Sequence, residues 1–343
     1  MAPLHDGSGA GAPWLSVLVP VWNVEPYLRQ CVDSLMPQAD AGVELLLLDD
    51  CSSDGSPALM QALQAQWGER IRLLAHPHNR GIAAARNTLL AQARGEHVWF
   101  VDSDDWVAPG VLPRLRQLLQ REPGLDLVFL DYAVMRPRPR LKYRLRGELH
   151  KRGFVGRSRQ RIGSTAEVVV GAVASGNLFV WAHVARRSLW HGVPAFPEGC
   201  SFEDMATLPR LLLRAQSAWH VPEPWLQYRR RDDSITALMS AAKVADLSRS
   251  LKGVRAELLQ HWPVAPEPVR FILAHQAARN FIAAQRHARH LPAAEAAALW
   301  PRIRSDFAEA IGDDLALLQR GYLKRGWFLR ALRLLKAHRD TLT

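Results

Sequence analysis

The sequence predicts an α/β fold: a doubly wound, mixed sheet flanked by helices and followed by a helical C-terminal region. Apolar runs of strand length alternate with helical patterns through the first third of the chain. The runs are almost continuously apolar, as in the leucines of 45–48, which is typical of parallel strands covered on both faces. From about Ser240 onward, Ala, Leu, Arg and His recur at helical spacing. These patterns favour βαβ units with right-handed crossovers, followed by helices.

The individual elements can be placed from the same patterns. Strands are predicted at 15–20, 43–49, 71–75 and 97–101, with helices near 25–35, 57–67 and 82–93 between them. A basic stretch then interrupts the alternation, and regular structure is predicted to resume near Ser164. The expected organisation is a flexible leader (1–13), an α/β domain (14–236) with a basic insertion at about 136–161, and a helical region (237–343).

Composition describes an ordinary globular protein. The 343 residues are 48% hydrophobic and 22% charged, enough to form a large core. The first 13 residues lack the apolar segment of a signal peptide, and no stretch has the length needed to cross a bilayer. The three cysteines are far apart and lack the spacing of a disulfide framework or a zinc site. We therefore expect a cytoplasmic protein.

The positive charge is concentrated in one segment. The net charge is +11, and residues 136–161 hold eleven Lys or Arg against a single acid, Glu148. Such a segment can bind an anionic acceptor, a lipid diphosphate headgroup or the surface of an anionic membrane. It can equally be a solvated loop. The sequence leaves both interpretations open.

Three polar motifs follow strands of the predicted sheet. They begin at Pro20, Asp49 and Asp102, and ligands of open α/β sheets bind at the carboxyl edge where such strands end. The third motif places Asp102, Asp104 and Asp105 within four residues. Clustered carboxylates are hard oxygen ligands suited to Mg²⁺ or Mn²⁺ bridging to a substrate phosphate. An acidic turn or a helix N-cap is the alternative.

The motifs together closely resemble family 2 glycosyltransferases, which have the GT-A fold. The resemblance covers roughly residues 14–236 and rests on the order of several motifs. They are SVLVPVWNVEPYL at 16–28, LDDCSSDGS at 48–56, NRGIAAARN at 79–87, DSDD at 102–105 and SFEDM at 201–205. A coincidence of this many motifs in order is far less frequent than a match to one short motif. The resemblance implies transfer of a sugar from a nucleotide donor.

The resemblance also implies roles for residues on the donor side. Trp22, where the family usually has Tyr, would stack on the nucleobase, and Asp50 would accept its ring N–H. Arg86 would reach the base or a phosphate, and Asn79 would position its loop. Cys51 stands where the family usually has Gly, which leaves the local backbone conformation open. The other residues implied in nucleotide binding are Pro20, Asn23, Glu25, Asp102 and Ser103.

The DSDD segment matches the family's DxD element. Asp104 is the expected direct ligand of Mn²⁺ or Mg²⁺, and Asp102 would face the ribose or the metal. The ion would neutralise the diphosphate as it leaves. Asp105 is expected only to orient its neighbours.

Asp204 is implied as the general base. A carboxylate there would remove the proton from the acceptor hydroxyl while its oxygen attacks C1, which inverts the anomeric configuration. Alternatively, Glu203 and Asp204 are acids of a first helical turn, favoured there by the helix dipole. Glu203 could simply cap the helix.

Further residues are implied on the acceptor and diphosphate side. Trp181 matches a position near the acceptor, where aromatic faces support sugars, although a core tryptophan is the alternative. The segment 228–236 resembles the part of the family that folds over the diphosphate. Its candidates are Arg229, Arg231 and Ser234, because arginine binds phosphate oxygens with two parallel hydrogen bonds.

We interpret the chain as a metal-dependent, inverting transferase of the hexosyltransferase type. Its predicted donor is a nucleotide sugar, most readily UDP-linked, and its acceptor a hydroxyl of a surface glycan or lipid-linked saccharide. A catalytically inactive sugar-binding relative and a basic nucleic-acid-binding protein are the alternatives; we expect no nucleic acid as partner. Residues 322–336 alternate apolar and basic side chains at helical spacing. This helix can lie on an anionic membrane at the inner face of the cell membrane, or dock on the core.

Overall fold

The computed structural model describes residues 12–136, 143, 148–230 and 239–339. Within this part of the chain, strands and helices build one mixed sheet with helices on both faces. The strands are β1 Leu15–Val21, β2 Val43–Asp49, β3 Ile71–Ala75, β4 His97–Phe100, β5 Trp106–Val107, β6 Leu127–Met135, β7 His150–Lys151, β8 Arg161–Ile162, β9 His183–Arg186 and β10 Ala218–Arg229.

Helices follow most of these strands and then fill the C-terminal third. Those associated with the sheet are α1 Glu25–Leu35, α2 Ser56–Trp67, α3 Ile82–Gln92, α4 Val111–Arg121, α5 Thr165–Ser175 and α6 Glu203–Leu212. Those after it are α7 Ala241–Arg249, α8 Val254–His261, α9 Glu267–Ala288, α10 Ala293–Ile311, α11 Leu315–Lys324 and α12 Phe328–Arg339.

The strand order is β3-β2-β1-β4-β9-β6-β10-β5, with β7 on β6 and β8 on β10. Strands β1 to β4 are parallel, and β6 is parallel to β10. Strand β9 runs antiparallel between β4 and β6. The start of β9 therefore lies at the same edge as the ends of β1, β2, β4 and β6.

Alternation along each strand divides the core between the two faces of the sheet. Leu18 and Leu46 point to one face, and Val17 and Leu45 point to the other. The first face shares its core with the C-terminal helices, including Tyr322 of α11. The second face is covered by α1, α2 and α4. The sheet is thus buried on both sides, as continuous apolar strands require.

The elements predicted from the sequence are confirmed with small shifts at their ends. Strand β1 extends one residue beyond the predicted end, and β4 is one residue shorter than predicted. Helix α2 begins at Ser56. The side chains of Ser56 and Asp54 accept hydrogen bonds from the backbone N–H groups of Val24 and Glu25, at the start of α1. The predicted helical C-terminal region begins at Ala241. The α/β class of the fold is therefore confirmed.

The basic segment is only partly described. Arginines of its second half form ion pairs with acids outside it: Arg157 with Glu167, Arg159 with Glu223 and Arg161 with Glu122. Residues 137–142 and 144–147, with much of its charge, lie outside the described residues, as do residues 1–11 of the predicted leader. Both interpretations of the basic segment therefore remain predictions.

No helix in the described ranges is both long enough and apolar enough to cross a membrane.

Candidate active site

The topology brings the predicted polar motifs to one edge of the sheet. Strands β1, β2 and β4 end at Val21, Asp49 and Phe100, in neighbouring register. The motifs that follow them therefore border one crevice. Because β9 is antiparallel, the residues just before it, including Trp181, lie at this edge as well.

The loop after β1 is tied to the loop after β2 by short hydrogen bonds. The backbone N–H of Ser53 donates to Oδ1 of Asn23 (2.8 Å), and that of Gly55 donates to Oε2 of Glu25 (2.9 Å). A Cβ on Gly55 would lie 2.3 Å from the Glu25 carboxyl and would displace it, so glycine permits this close approach. Asn23 and Glu25 thus fix the loops, and they leave the Trp22 side chain 45% exposed.

Three non-glycine residues with positive φ surround the crevice. They are Asn23 (50°), Cys51 (61°) and Phe202 (62°). This left-handed backbone conformation is unfavourable for most residues other than glycine and asparagine. It persists where the surrounding structure imposes it. Cys51 therefore keeps the backbone conformation that glycine favours. Phe202 redirects the chain immediately before Glu203 and Asp204.

Asp50 is buried and holds the turn between β3 and α3. Its carboxylate accepts hydrogen bonds from the backbone N–H groups of Arg80 (2.9 Å) and Gly81 (2.8 Å). Nδ1 of His76 lies 2.7 Å from Oδ1 of Asp50, and Asn79 donates to the Asp50 carbonyl (3.3 Å). Asn79 thus contacts the loop after β2, and its predicted role in positioning its own loop stays a prediction. These contacts engage both oxygens of the Asp50 carboxylate, and its nucleobase contact stays a prediction.

Arg86 is the centre of the site. It is buried, and its guanidinium contacts three carboxylates: Asp204 (2.6 Å), Glu203 (2.6 Å) and Asp102 (3.2 Å). Burial disfavours the charged guanidinium, but Asp204, Asp102 and Glu203 outweigh it and raise the pKa of Arg86. Because Arg86 is buried, it is not a charge on the helix surface. Its nucleotide contact stays a prediction.

Asp204 is held on both sides. One oxygen contacts Arg86, and the other accepts the backbone N–H of Val180 (3.2 Å). Burial, together with the charges of Glu203 and Asp102, raises the pKa of Asp204 to about 7, although Arg86 lowers it. A carboxylate has about four lone-pair positions, so Asp204 can still accept a hydrogen bond from a further donor. A pKa near neutrality suits a general base.

The DSDD segment contains carboxylates in two environments. Asp102 and Asp104 are partly exposed, whereas Asp105 is buried. Burial raises the pKa of Asp105 well above its usual range, and the charges of Asp102 and Asp104 raise it further, against the N–H of Arg229. Asp105 accepts that N–H at 2.7 Å. This hydrogen bond ties Asp105 to β10, and its predicted role in orienting its neighbours stays a prediction.

Arg229 supports the acidic loop from the other side. Its Nε donates to the Asp104 carbonyl (2.8 Å), and its guanidinium lies between the rings of Tyr27 and Trp106. These contacts engage much of the Arg229 guanidinium, which the family resemblance makes a candidate for binding the diphosphate. Arg231 and Ser234, the other diphosphate candidates, lie outside the described residues.

The donor set fits a divalent ion that is shared with a substrate. Among the described residues, no group of three or more His, Cys, Asp or Glu side chains could hold a metal alone. Mg²⁺ and Mn²⁺ sites of nucleotide enzymes need only one or two carboxylates, with phosphate oxygens and waters as the other ligands. Asp102 and Asp104 supply such carboxylates at the crevice. Ser103, between them, is buried.

An aromatic cluster adjoins Asp204. Trp181 is buried, with Phe179 stacked on it at 4.8 Å, Tyr228 nearly parallel at 5.5 Å and Tyr132 edge-on at 4.7 Å. Phe179 is the more exposed ring, and it immediately precedes the residue whose N–H binds Asp204. The sequence analysis did not single out Phe179, although it is an aromatic residue two positions before the candidate Trp181. The acceptor role of Trp181 stays a prediction.

A cavity of about 310 Å³ lies elsewhere, beside Trp14, His97 and Leu125. These residues begin or precede strands, so the cavity is at the opposite edge of the sheet. It does not belong to the crevice.

Comparisons with known proteins find similarity to glycosyltransferases. Residues 16–174 match the model of glycosyl transferase family 2. The glycosyltransferase GlyG of Streptococcus pneumoniae is 36% identical over 118 residues, which cover 34% of this chain and 38% of GlyG. The succinoglycan biosynthesis protein ExoO of Rhizobium meliloti is 34% identical over 133 residues, 36% of each chain. The chain spans about a third of the length of the first curated relatives it matches.

Two solved structures show the fold. Residues 1–349 of TarS from S. aureus, in complex with UDP-GlcNAc, superpose with a TM-score of 0.72 at 19% identity, covering 95% of this chain and 91% of that one. The mannosyltransferase PcManGT from Pyrobaculum calidifontis, in complex with GDP-Man and Mn²⁺, gives 0.53 at 21% identity, covering 96% and 87%. Residues 16–174 are therefore similar to glycosyl transferase family 2, and the fold of the chain is of the GT-A type, like that of TarS.

Proposed function

We propose that the whole chain is a metal-dependent, inverting glycosyltransferase that uses a nucleotide sugar, most readily a UDP-sugar. The acceptor would be a hydroxyl of a surface glycan or of a lipid-linked saccharide. One observation carries the proposal: the guanidinium of Arg86 contacts both Asp102 of the DxD element and Asp204. This contact supports the proposal that Asp102, at the diphosphate, and Asp204, as the base, would act side by side.

The donor would bind along the ends of β1, β2 and β4. The exposed ring of Trp22 offers a stacking face for a nucleobase. The loops on either side of it are already fixed by Asn23 and Glu25, so little conformational entropy is lost on binding. UDP-GlcNAc and GDP-Man in the two structural neighbours support a nucleotide sugar here.

Asp104 and Asp102 would hold the divalent ion against the diphosphate. When bound, the ion would neutralise the charge that develops on the leaving group. Arg229 holds the Asp104 carbonyl, and Asp105 holds the Arg229 N–H. The acidic loop is thus preorganised by contacts from β10, which keeps its carboxylates in place as the substrate binds.

Asp204 would act on the acceptor. As the acceptor oxygen forms its bond to C1, its proton passes to Asp204, and the bond from C1 to the diphosphate oxygen breaks. The nucleoside diphosphate leaves from the face opposite the attack, which inverts C1. The N–H of Val180 and the guanidinium of Arg86 keep the Asp204 carboxylate oriented for this transfer.

A thermal-shift screen followed by a transfer assay tests the proposal. UDP-sugars and GDP-Man are added with and without Mn²⁺, and ligands that bind the native state raise Tm. We expect a rise with UDP-sugars that depends on Mn²⁺, and turnover of the same donor with a glycan acceptor. Binding without turnover would favour an inactive sugar-binding protein. Absence of any nucleotide-sugar binding would contradict the proposal.

A further inference from the structure

Helix α12 is apolar on two opposite sides. Leu334 and Ala337 are buried against the protein. Phe328, Leu332 and Leu335 recur at intervals of four and three, so they share the side of the helix that faces away. These three residues and the neighbouring Leu329 are between 51 and 70% exposed. We call this exposed set of four the α12 face.

The docked side fixes the orientation of the helix. Nε2 of Gln285 on α9 donates to the Ala337 carbonyl (3.0 Å). The turn before α12 is closed by the backbone N–H of Trp327, which donates to the Tyr322 carbonyl (2.8 Å). The guanidinium of Arg330 lies over the Trp327 ring. With one side held in this way, the α12 face cannot turn toward the core. Contiguous exposed apolar side chains mark interaction sites.

Exposed basic side chains adjoin the α12 face. Residues 315–339 contain seven Lys or Arg and no Asp or Glu. Lys324, Arg333, Lys336 and Arg339 are exposed. An apolar strip on a helix with a basic rim matches the boundary of an anionic bilayer, where acyl chains meet acidic headgroups.

From this combination we infer that the α12 face is a docking surface for an anionic lipid membrane. A second copy of the chain fits less well, because a two-fold interface places the same patch on both partners. The basic rims would then face each other and repel. The inference concerns where the protein is held, and it does not depend on the proposed chemistry of the crevice.

Vesicle co-sedimentation of the full chain tests the inference. The probes are vesicles of phosphatidylcholine alone and of phosphatidylcholine mixed with phosphatidylglycerol. We expect binding to the mixed vesicles, weakened by salt, and little binding to the neutral ones. The double variant Leu329→Glu/Leu332→Glu should bind at least about tenfold more weakly. Arg333→Gln/Lys336→Gln should lose about fivefold for each charge removed.

Val264→Glu is the matched control, because Val264 is also an exposed apolar residue but lies outside α12. It should bind vesicles as the wild type does. Circular dichroism and Tm establish that each variant is folded. Equal binding of the wild type and the double Glu variant would overturn the inference, as would absence of binding to the mixed vesicles. A wild-type dimer that the double Glu variant dissociates would assign the face to a second copy instead.

Discussion

The end of β4 and the start of α6 both present carboxylates to the crevice, but in different environments. The side chain of Asp102 is 28% exposed, whereas that of Asp204 is 12% exposed and held by Arg86 and Val180. An exposed carboxylate can exchange water for a cation at little cost. The protonation of a buried carboxylate is set by its neighbours instead. We therefore expect the two acidic clusters of the crevice to differ in function, with cation binding at β4 and proton transfer at α6.

Replacing the buried carboxylate should have the largest effect. In Asp204→Asn we expect turnover to fall about 10²- to 10⁴-fold, the usual contribution of a general base. Donor affinity should change little, because the exposed carboxylates at β4 remain. Steady-state kinetics and calorimetric titration of the donor measure the two quantities. Glu203→Gln is the matched control and should keep most of the turnover. Full transfer by Asp204→Asn would exclude Asp204 as the base.

Replacing Arg86, whose guanidinium contacts both acidic clusters, should destabilise the fold. Arg86→Gln leaves the buried carboxylates without their guanidinium, and breaking a buried ion pair costs about 3–5 kcal/mol. Denaturant unfolding at neutral pH measures the change in the free energy of unfolding. Arg86→Lys should lose less, since it keeps the charge but not the fork. An unchanged unfolding midpoint for Arg86→Gln would show that the ion pairs contribute nothing.

Removing an exposed carboxylate should act on the donor. In Asp104→Ala we expect kcat/KM to fall about 100-fold, because a metal ion bound there would contribute several kcal/mol to stabilising the leaving group. The Mn²⁺-dependent part of donor binding should disappear in calorimetric titrations. Asp33→Ala, on the exposed side of α1, is the control. Retention of Mn²⁺-dependent binding in Asp104→Ala would move the metal site elsewhere.

The smallest of these effects is expected for Trp22, the residue proposed to stack on the nucleobase. Trp22→Ala should raise the KM for the donor about tenfold, within the range measured for the stacking of one base on an aromatic ring. Trp22→Tyr should stay near the wild-type value, since it retains an aromatic face. Initial rates over a range of donor concentrations separate KM from kcat. An unchanged KM in Trp22→Ala would remove the ring from the donor site.

Sequence patterns sufficed for the sheet and for the place of the crevice. Strands β1 to β4 are largely apolar runs separated by helices, so local spacing determines them. Polar residues after parallel strands must meet at one edge. For the same reason Trp22 and the DxD carboxylates could be placed together before their contacts were known.

The contacts inside the crevice could not be predicted in this way. Arg86 pairs with Glu203 and Asp204 more than a hundred residues away, and no local period records such a pairing. The left-handed Phe202 carries no glycine or asparagine signal. The engagement of Asp50 by His76 also depends on how the loop after β3 folds back. Tertiary packing determines each of these.

The pH dependence of transfer tests most directly whether a buried carboxylate, tuned by its neighbours, is the base. With the pKa of Asp204 raised to about 7, the base is ionised only above that pH. The rate constant kcat/KM should therefore fall about tenfold per pH unit below it. Because the charge of Glu203 raises that pKa, Glu203→Gln should move the acidic limb to lower pH. An ordinary carboxylate is fully ionised from about pH 5 to about pH 8, so a wild-type profile that stays flat over that range would contradict a base of this kind.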